Sequence, residues 1–279
     1  MSSMGSPRPD ALRMALVGFG AIGQALAAQL RDDPKVHLAQ VIVQPQESAS
    51  ALALCRTLAP ATRVLSAIDF SAGHQPDLVV ECAGHGAVQQ HVVPALSAGV
   101  PCVLGSIGAL HDASLLARLE AAAQAGGTQI RLVAGAIGAI DALAAASLGG
   151  LEEVTYIGRK PPLAWSGTPA EKMCDLASLT EPVVIFRGTA RQAAQDYPKN
   201  ANVAATVSLA GLGLDRTKVE LVADPGVTRN VHRIEAHGAF GRLQLQLENL
   251  ALPANPKTSA LTVYSLARAV RNAASTLVF

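Results

Sequence analysis

Met14-Ala-Leu-Val-Gly18-Phe-Gly20-Ala-Ile-Gly23-Gln24 sets three glycines in G-x-G-x-x-G order behind a short apolar run. Met14 to Val17 reads as a buried parallel strand. Behind the glycines, Gln24 to Leu30 has the composition of a helix. In a strand–turn–helix setting each glycine has a task. Gly18 permits the tight turn, Gly20 lets the backbone approach a pyrophosphate, and Gly23 lets the helix pack close to the strand. The helix amino terminus, opened by Ala21 and Ile22, offers N–H groups and a positive dipole end to phosphate. Glycines alone are weak evidence in a chain rich in Gly and Ala; their setting makes the signal specific.

The pattern continues on both sides of this turn. Val36 to Gln44 reads as the second strand. A dinucleotide fold often ends that strand with an acid that holds the ribose 2′-OH. Here it ends at Gln44, followed by Pro45; Glu47 is the first carboxylate, and no Arg stands there. Gln44 is therefore the ribose-side candidate, and the choice between NAD and NADP stays open. Pro76 to Cys82 reads as another buried strand, Pro101 to Leu104 as the next strand and Gln129 to Val133 as a further one. Helices are expected at 89–98 and 114–125. The loops after these strands carry Ala83, His85 and Ser106, where open parallel sheets bind ligands. For His85 and Ser106 a solvated loop residue is an equal reading. Strand–helix alternation of this kind implies a Rossmann-type doubly wound parallel sheet.

Near Gly138 the character changes. A helix is expected at 140–148, then strands at 153–158, 182–189, 218–223, 230–237 and 242–250. Arg242 to Leu250 alternates strictly, which marks a sheet with one covered and one open face. The expected fold class is thus α/β, with a second α+β domain built on an open-faced mixed sheet. The expected divisions are a disordered leader at 1–10, a dinucleotide-binding domain at 11–137, a substrate, catalytic and oligomerisation domain at 138–252, and a C-terminal segment at 253–279. That last segment is expected to turn at Asn255-Pro256 and become a helix capped by Thr258 or Ser259, packing back toward the first domain. The open sheet face invites cover from a second copy, hence an expected homodimer.

Composition narrows the function. The chain has 279 residues, enough for a large core, and is 50% hydrophobic but only 3% aromatic, so Ala, Val, Leu and Ile must fill that core. A net charge of +1 gives no electrostatic case for nucleic acid or an anionic membrane. The longest weakly polar stretch, Leu132 to Gly150, is broken by glycines and Asp141. Met1 to Asp10 is rich in Ser, Pro and Gly and lacks an apolar signal core. Cys55, Cys82, Cys102 and Cys174 form no C-x-x-C pair and have no His at metal-ligand spacing, so they read as buried thiols of a cytoplasmic protein without a metal.

Two stretches carry candidate chemistry. Pro198-Lys-Asn-Ala-Asn202 begins a helix, with Asp196 or Tyr197 as its cap and with Lys199 and Asn202 on one face of its first turn. Asn230-Val-His-Arg-Ile-Glu-Ala-His237 puts His232 with Ile234 and Ala236 on one face. Apolar neighbours there can move the His232 pKa near neutrality, whereas His237 looks solvated. A histidine on an apolar face is also commonly a satisfied core residue, so at this level both readings of His232 stand.

Taken together, Gly-Phe-Gly-Ala-Ile-Gly, Ala134 to Asp141, Trp165 to Glu171, Pro198-Lys-Asn-Ala-Asn-Val-Ala-Ala205, Val231-His232 and Asn255-Pro-Lys-Thr-Ser259 resemble the L-aspartate dehydrogenase family over essentially the whole chain from Ala11. The resemblance implies oxidative deamination of L-aspartate with NAD or NADP, through iminoaspartate to oxaloacetate and ammonia, and a supply of iminoaspartate to NAD biosynthesis. It implies that His232 is catalytic, acting as base on the water that attacks the imine, and that Ala136 and Asn202 contact the cofactor. Two substrate carboxylates call for cations or donors; Lys199, Lys257, Arg159, Lys160 and Thr168 are the candidates. The alternatives are another two-domain reductase, homoserine-dehydrogenase-like or dihydrodipicolinate-reductase-like, and a dinucleotide-binding sensor without turnover.

Overall fold

A computed structural model describes residues 10–198 and 202–279, without the side chains of Pro256 and Lys257. The expected leader and Lys199 therefore fall outside the described residues, apart from Asp10. The chain divides into two compact units. The first comprises the residues up to Ser106, Ala113–Val133 and Val263–Phe279; the second comprises Ile107–Asp112 and Ala134–Thr262.

The first unit is a six-stranded parallel sheet in the order β3-β2-β1-β4-β5-β6. Its strands are β1 (Leu12–Val17), β2 (Val36–Ile42), β3 (Arg63–Leu65), β4 (Leu78–Glu81), β5 (Cys102–Leu104) and β6 (Ile130–Leu132). Helices α1 (Ala21–Leu30) and α2 (Ser48–Leu58) serve the half before the crossover from β3 to β4. Met14, Ala15, Leu16, Val79 and Val80 are all inaccessible to solvent. Such runs are apolar throughout because a parallel strand is covered on both faces. The strand order reverses between β1 and β4, and the Gly18 turn stands at that switch point, where open α/β sheets receive ligands.

The expected helix at 89–98 begins earlier and is not uniform. It runs as α3 (His85–Ala87), a π-turn over Val88–Val92, and α4 (Val93–Ser97). Pro94 lies in the first turn of α4 and brings no N–H, and a wider π-turn ahead of it absorbs the missing bond. Helix α5 (Ala113–Ala125) follows β5.

In the second unit α6 (Ile140–Gly149) leads into a five-stranded mixed sheet in the order β11-β10-β7-β9-β8. Its strands are β7 (Leu151–Lys160), β8 (Val183–Thr189), β9 (Lys218–Ala223), β10 (Asn230–Gly238) and β11 (Gly241–Asn249). Only the β7–β9 pairing is parallel. Helices α7 (Ala190–Asp196) and α8 (Asn202–Ala210), with α6, pack against this sheet. Asp196 ends α7 and Tyr197 closes it; Pro198 follows as a 3-10 residue, and the first turn of the expected helix, 199–201, lies outside the described residues.

The two faces of this sheet differ as the alternation requires. Val154, Tyr156, Ile234 and Ala236 are buried on one. The other carries ion pairs, Lys218 with Glu153 at 3.0 Å and Arg187 with Glu220 at 2.9 Å. His237 is half exposed, with Nδ1 3.3 Å from Glu152. A short hairpin of β12 (Ala251–Leu252) and β13 (Asn255–Ser259) precedes α9 (Ala260–Ala273). Asn255 and Pro256 thus lie in a strand, and the turn falls at Pro253-Ala254 instead. Ser259 caps α9, its Oγ accepting the Leu261 N–H at 3.1 Å.

Candidate active site

The glycine turn has the geometry its spacing requires. Gly18 sits at φ +93°, and a Cβ there would stand 2.7 Å from Ala83 Cα. A Cβ on Gly23 would stand 2.3 Å from the Gly18 carbonyl oxygen. A Cβ on Gly20, by contrast, would meet nothing within 4 Å, and as the residue before α1 Gly20 makes no side-chain cap. Two glycines are thus needed by the fold, and the third keeps open the space before an uncapped helix end. Ala21 and Ile22 form the first turn of that helix. These residues fit a dinucleotide pyrophosphate. Gln44 follows β2 in the open, its Oε1 accepting from Gln46 Nε2.

One residue of this unit escaped the sequence reading. Glu81 ends β4 with no solvent exposure. Its Oε1 accepts the N–H groups of Ala83 at 2.8 Å and Gly84 at 2.9 Å and the hydroxyl of Ser106 at 2.9 Å; Oε2 accepts the Ser106 N–H at 3.0 Å. Burial raises its pKa, and these donors oppose the rise. Four donors and no acceptor face it, which is the environment of a carboxylate. Ser106 is correspondingly buried and engaged rather than a solvated loop residue. His85, half-buried, opens α3. The Glu81 signal in sequence was a lone acid at the end of an otherwise apolar strand.

In the second unit His232 is 4% exposed on the covered face of β10. Its Nδ1 lies 2.8 Å from the hydroxyl of Tyr156, which is also buried. The rings lie 17° from parallel, with centroids 6.0 Å apart. The residue across from His232 on β7 is Gly158, and a Cβ there would stand 2.8 Å from the Tyr156 hydroxyl. Glycine therefore clears the space through which Tyr156 reaches the imidazole. Desolvation, reinforced by the Lys160 charge, lowers the His232 pKa to about 3. The expected value near neutrality is thus overshot: the ring is almost wholly desolvated, and the charge acting on it, that of Lys160, is positive. Burial also holds the Tyr156 hydroxyl protonated, far above its usual range.

The carboxylate candidates separate. Lys160 shares the His232 face, is 7% exposed, and lies 5.0 Å from the Trp165 ring centroid. Arg159 points to the opposite face and pairs with Asp224 at 2.6 Å. The Thr168 hydroxyl donates to the Trp165 carbonyl at 2.6 Å and accepts from the Ala170 N–H, which makes it a helix cap. Lys199 and the Lys257 side chain lie outside the described residues. Asn202 Oδ1 accepts the Gly108 N–H at 2.8 Å, which fixes the orientation of the amide and of its donor Nδ2. The Ala136 carbonyl is held by Asn249 Nδ2 at 2.6 Å. Among the described residues no cluster suited to a metal occurs. All four cysteines are free; Cys55 and Cys102 are buried, while Cys82 and Cys174 are only half-buried.

A doubly wound sheet with this glycine turn, in one chain with an α+β unit that buries a histidine, defines a nicotinamide-dependent oxidoreductase. Comparison with known proteins narrows the class. The C-terminal aspartate dehydrogenase family matches residues 141–273, and the NAD-binding domain of homoserine dehydrogenase matches 18–133. The L-aspartate dehydrogenase of Cupriavidus necator is 57% identical, covering 94% of this chain and 98% of that one. That of Pseudomonas aeruginosa is 56% identical, covering 94% and 97%. The crystal structure of aspartate dehydrogenase from Thermotoga maritima superposes with a TM-score of 0.75 at 26% identity, covering 96% and 99%. The chain belongs to the L-aspartate dehydrogenase family. A hyperthermophilic archaeal homoserine dehydrogenase, at 11% identity and TM-score 0.59, shares the fold alone.

Proposed function

We propose that this protein oxidatively deaminates L-aspartate to oxaloacetate and ammonia through iminoaspartate, with His232 as its catalytic residue. The family supports the reaction, and the burial of His232 beside Lys160 carries the assignment of the site. A bound nicotinamide supplies the hydride acceptor. In this reading Gly18, Gly20, Ala21, Ile22 and Gly23 hold the pyrophosphate, and Gln44, Ala83, Ser106, Ala136 and Asn202 complete the cofactor contacts. Lys160 takes a substrate carboxylate, a charge-assisted bond in a dry setting. His232 attends the oxygen that water brings to the imine carbon. Lys199, Lys257 and Thr168 remain further substrate candidates, Thr168 the weakest because its hydroxyl is already used.

The test is reduced-nicotinamide formation from L-aspartate with NAD and with NADP, beside other amino acids. Turnover confined to L-aspartate is the expected result, and it also gives the cofactor preference. His232→Ala should lose roughly 10²–10⁴-fold in turnover while still binding the dinucleotide. Near wild-type turnover would remove His232 from the site. Lys160→Ala should raise KM for aspartate more than it lowers kcat; an unchanged KM counts against its role.

We also propose a cytoplasmic homodimer that uses the open face of the second unit's sheet. Among the described residues no helix is long and apolar enough to cross a membrane. The open face mixes charges of both signs, such as Lys218 and Glu153, and so can be self-complementary across a two-fold axis. Sedimentation of the purified protein at two salt concentrations checks this.

A further inference from the structure

The hydrogen bond between Tyr156 and His232 has a direction, and the direction matters for catalysis. We infer that Tyr156 is a positioning residue that holds neutral His232 as its Nε2–H tautomer, so that the imidazole meets the substrate as a hydrogen-bond donor. This rests on the reading of His232 as catalytic and sharpens what it does there.

The argument is one of satisfied donors. The Tyr156 hydroxyl is buried, and among the described residues its hydrogen-bond partner is His232 Nδ1, at 2.8 Å. If the hydroxyl donates, its proton is satisfied and the Nδ1 lone pair is filled. If Nδ1–H donated instead, the phenolic proton would be buried without an acceptor, which is unfavourable. With Nδ1 accepting, a neutral ring carries its proton on Nε2. Gly158 supports the arrangement: it stands across from His232, and any side chain there would block the hydroxyl. Lys160, the cation on the same face, disfavours a second positive charge on the ring.

A ring in this state does not take a proton from water, because Nε2 is already protonated and Nδ1 is filled. It stabilises an oxygen instead. When ammonia adds to the ketone of oxaloacetate, the C–N bond forms as the carbonyl π pair moves onto oxygen. A fixed N–H aimed at that oxygen lowers the barrier. The ammonium nitrogen then passes one proton to the oxygen through solvent water, giving the neutral carbinolamine. By microscopic reversibility the same donor serves the collapse of the carbinolamine in the deaminating direction, where the hydroxyl proton returns to nitrogen through water, the C–N bond breaks and ammonia leaves. No proton passes through His232 in either direction. Neutral imidazole acting as an electrophile has a known parallel in triosephosphate isomerase.

The experiment is the ¹⁵N ring spectrum of histidine-labelled enzyme with NAD bound, the His232 signals being assigned by their loss in His232→Gln. A protonated Nε2 beside an unprotonated, hydrogen-bonded Nδ1 is expected. A protonated Nδ1 overturns the inference. Tyr156→Phe keeps the ring and removes the donor. It should lose the tautomer preference and about tenfold in kcat, the change one hydrogen bond corresponds to, with the Kd for NADH unchanged. An unchanged kcat with the tautomer preserved also overturns it. A fully active His232→Ala would instead sink the catalytic reading beneath it, so the two failures are separable.

Discussion

A side chain would meet backbone at Gly18 and Gly23 but open space at Gly20, and this gives a test at the level of single atoms. Gly23→Ala drives a Cβ to 2.3 Å from a backbone oxygen, which cannot move without moving β1 or α1. Gly20→Ala meets nothing and has an ordinary φ of −73°. Gly23→Ala should therefore lower Tm and lose cofactor together. Gly20→Ala should keep wild-type Tm, or gain slightly from reduced freedom in the unfolded chain, yet bind NAD at least tenfold more weakly, because its methyl enters the pyrophosphate path. Thermal melts and cofactor titration check both. A Gly20→Ala protein with wild-type affinity would mean that the dinucleotide does not pass this residue. The glycines were legible in sequence because their meaning depends on local spacing. Tyr156 was not: it meets His232 through the register of β7 with β10, 76 residues apart, and no local pattern encodes that pairing.

At the scale of elements, Glu81 ties the end of β4 to the loop that follows β5. Ala83, which Glu81 holds by its N–H, also abuts Gly18, so one carboxylate fixes the placement of the three loops that follow β1, β4 and β5. Glu81→Gln has nearly the same shape but turns an NH₂ toward N–H or O–H donors. Each unsatisfied buried group costs about 1–3 kcal/mol. The variant should show a lower Tm and weaker NADH binding, whereas Ser106→Ala, which removes one donor and leaves the carboxylate three, should lose much less of both. Equal stability of Glu81→Gln and wild type would show that the group is a neutral acid in the folded protein. The strands were mostly readable, since buried parallel runs and strict alternation are strong local signals. Helix α2 and β3 were not. Only Ala51 and Cys55, one turn apart, are buried in α2, but Ala51, Leu52, Ala53, Leu54 and Cys55 are apolar in succession, so the sequence hides the helical period. The turn expected at Asn255-Pro256 failed for a similar reason. Asn-Pro is a turn signal on average, yet pairing of β13 with β12 moved the turn two residues earlier.

Stability of the whole molecule against acid follows from a histidine kept neutral. The ordinary pKa of His232 in the unfolded chain is 6.5, and in the folded chain it is about 3. Above pH 6.5 both states carry a neutral ring, and the contribution to stability is complete. As pH falls below 6.5 the unfolded chain binds a proton that the folded chain refuses, so folding weakens with acidification until the folded pKa is reached. The slope is about 1.4 kcal/mol per pH unit for one such group. Tyr156, which faces the ring, is held protonated by burial and does not change charge in this window. His37 and His91 are also lowered, chiefly by burial, and bend the same curve; comparing two proteins that share them cancels their part. Urea unfolding of wild type and His232→Gln at pH 6 and pH 4.5 isolates the term. The wild type should lose about 2 kcal/mol more than the variant over that interval. Equal losses would mean that the folded protein protonates His232 as readily as the unfolded chain does. The covered face of the sheet would then be wet, and the neutral donor assigned to it would give way to an imidazolium as pH falls through 6.5.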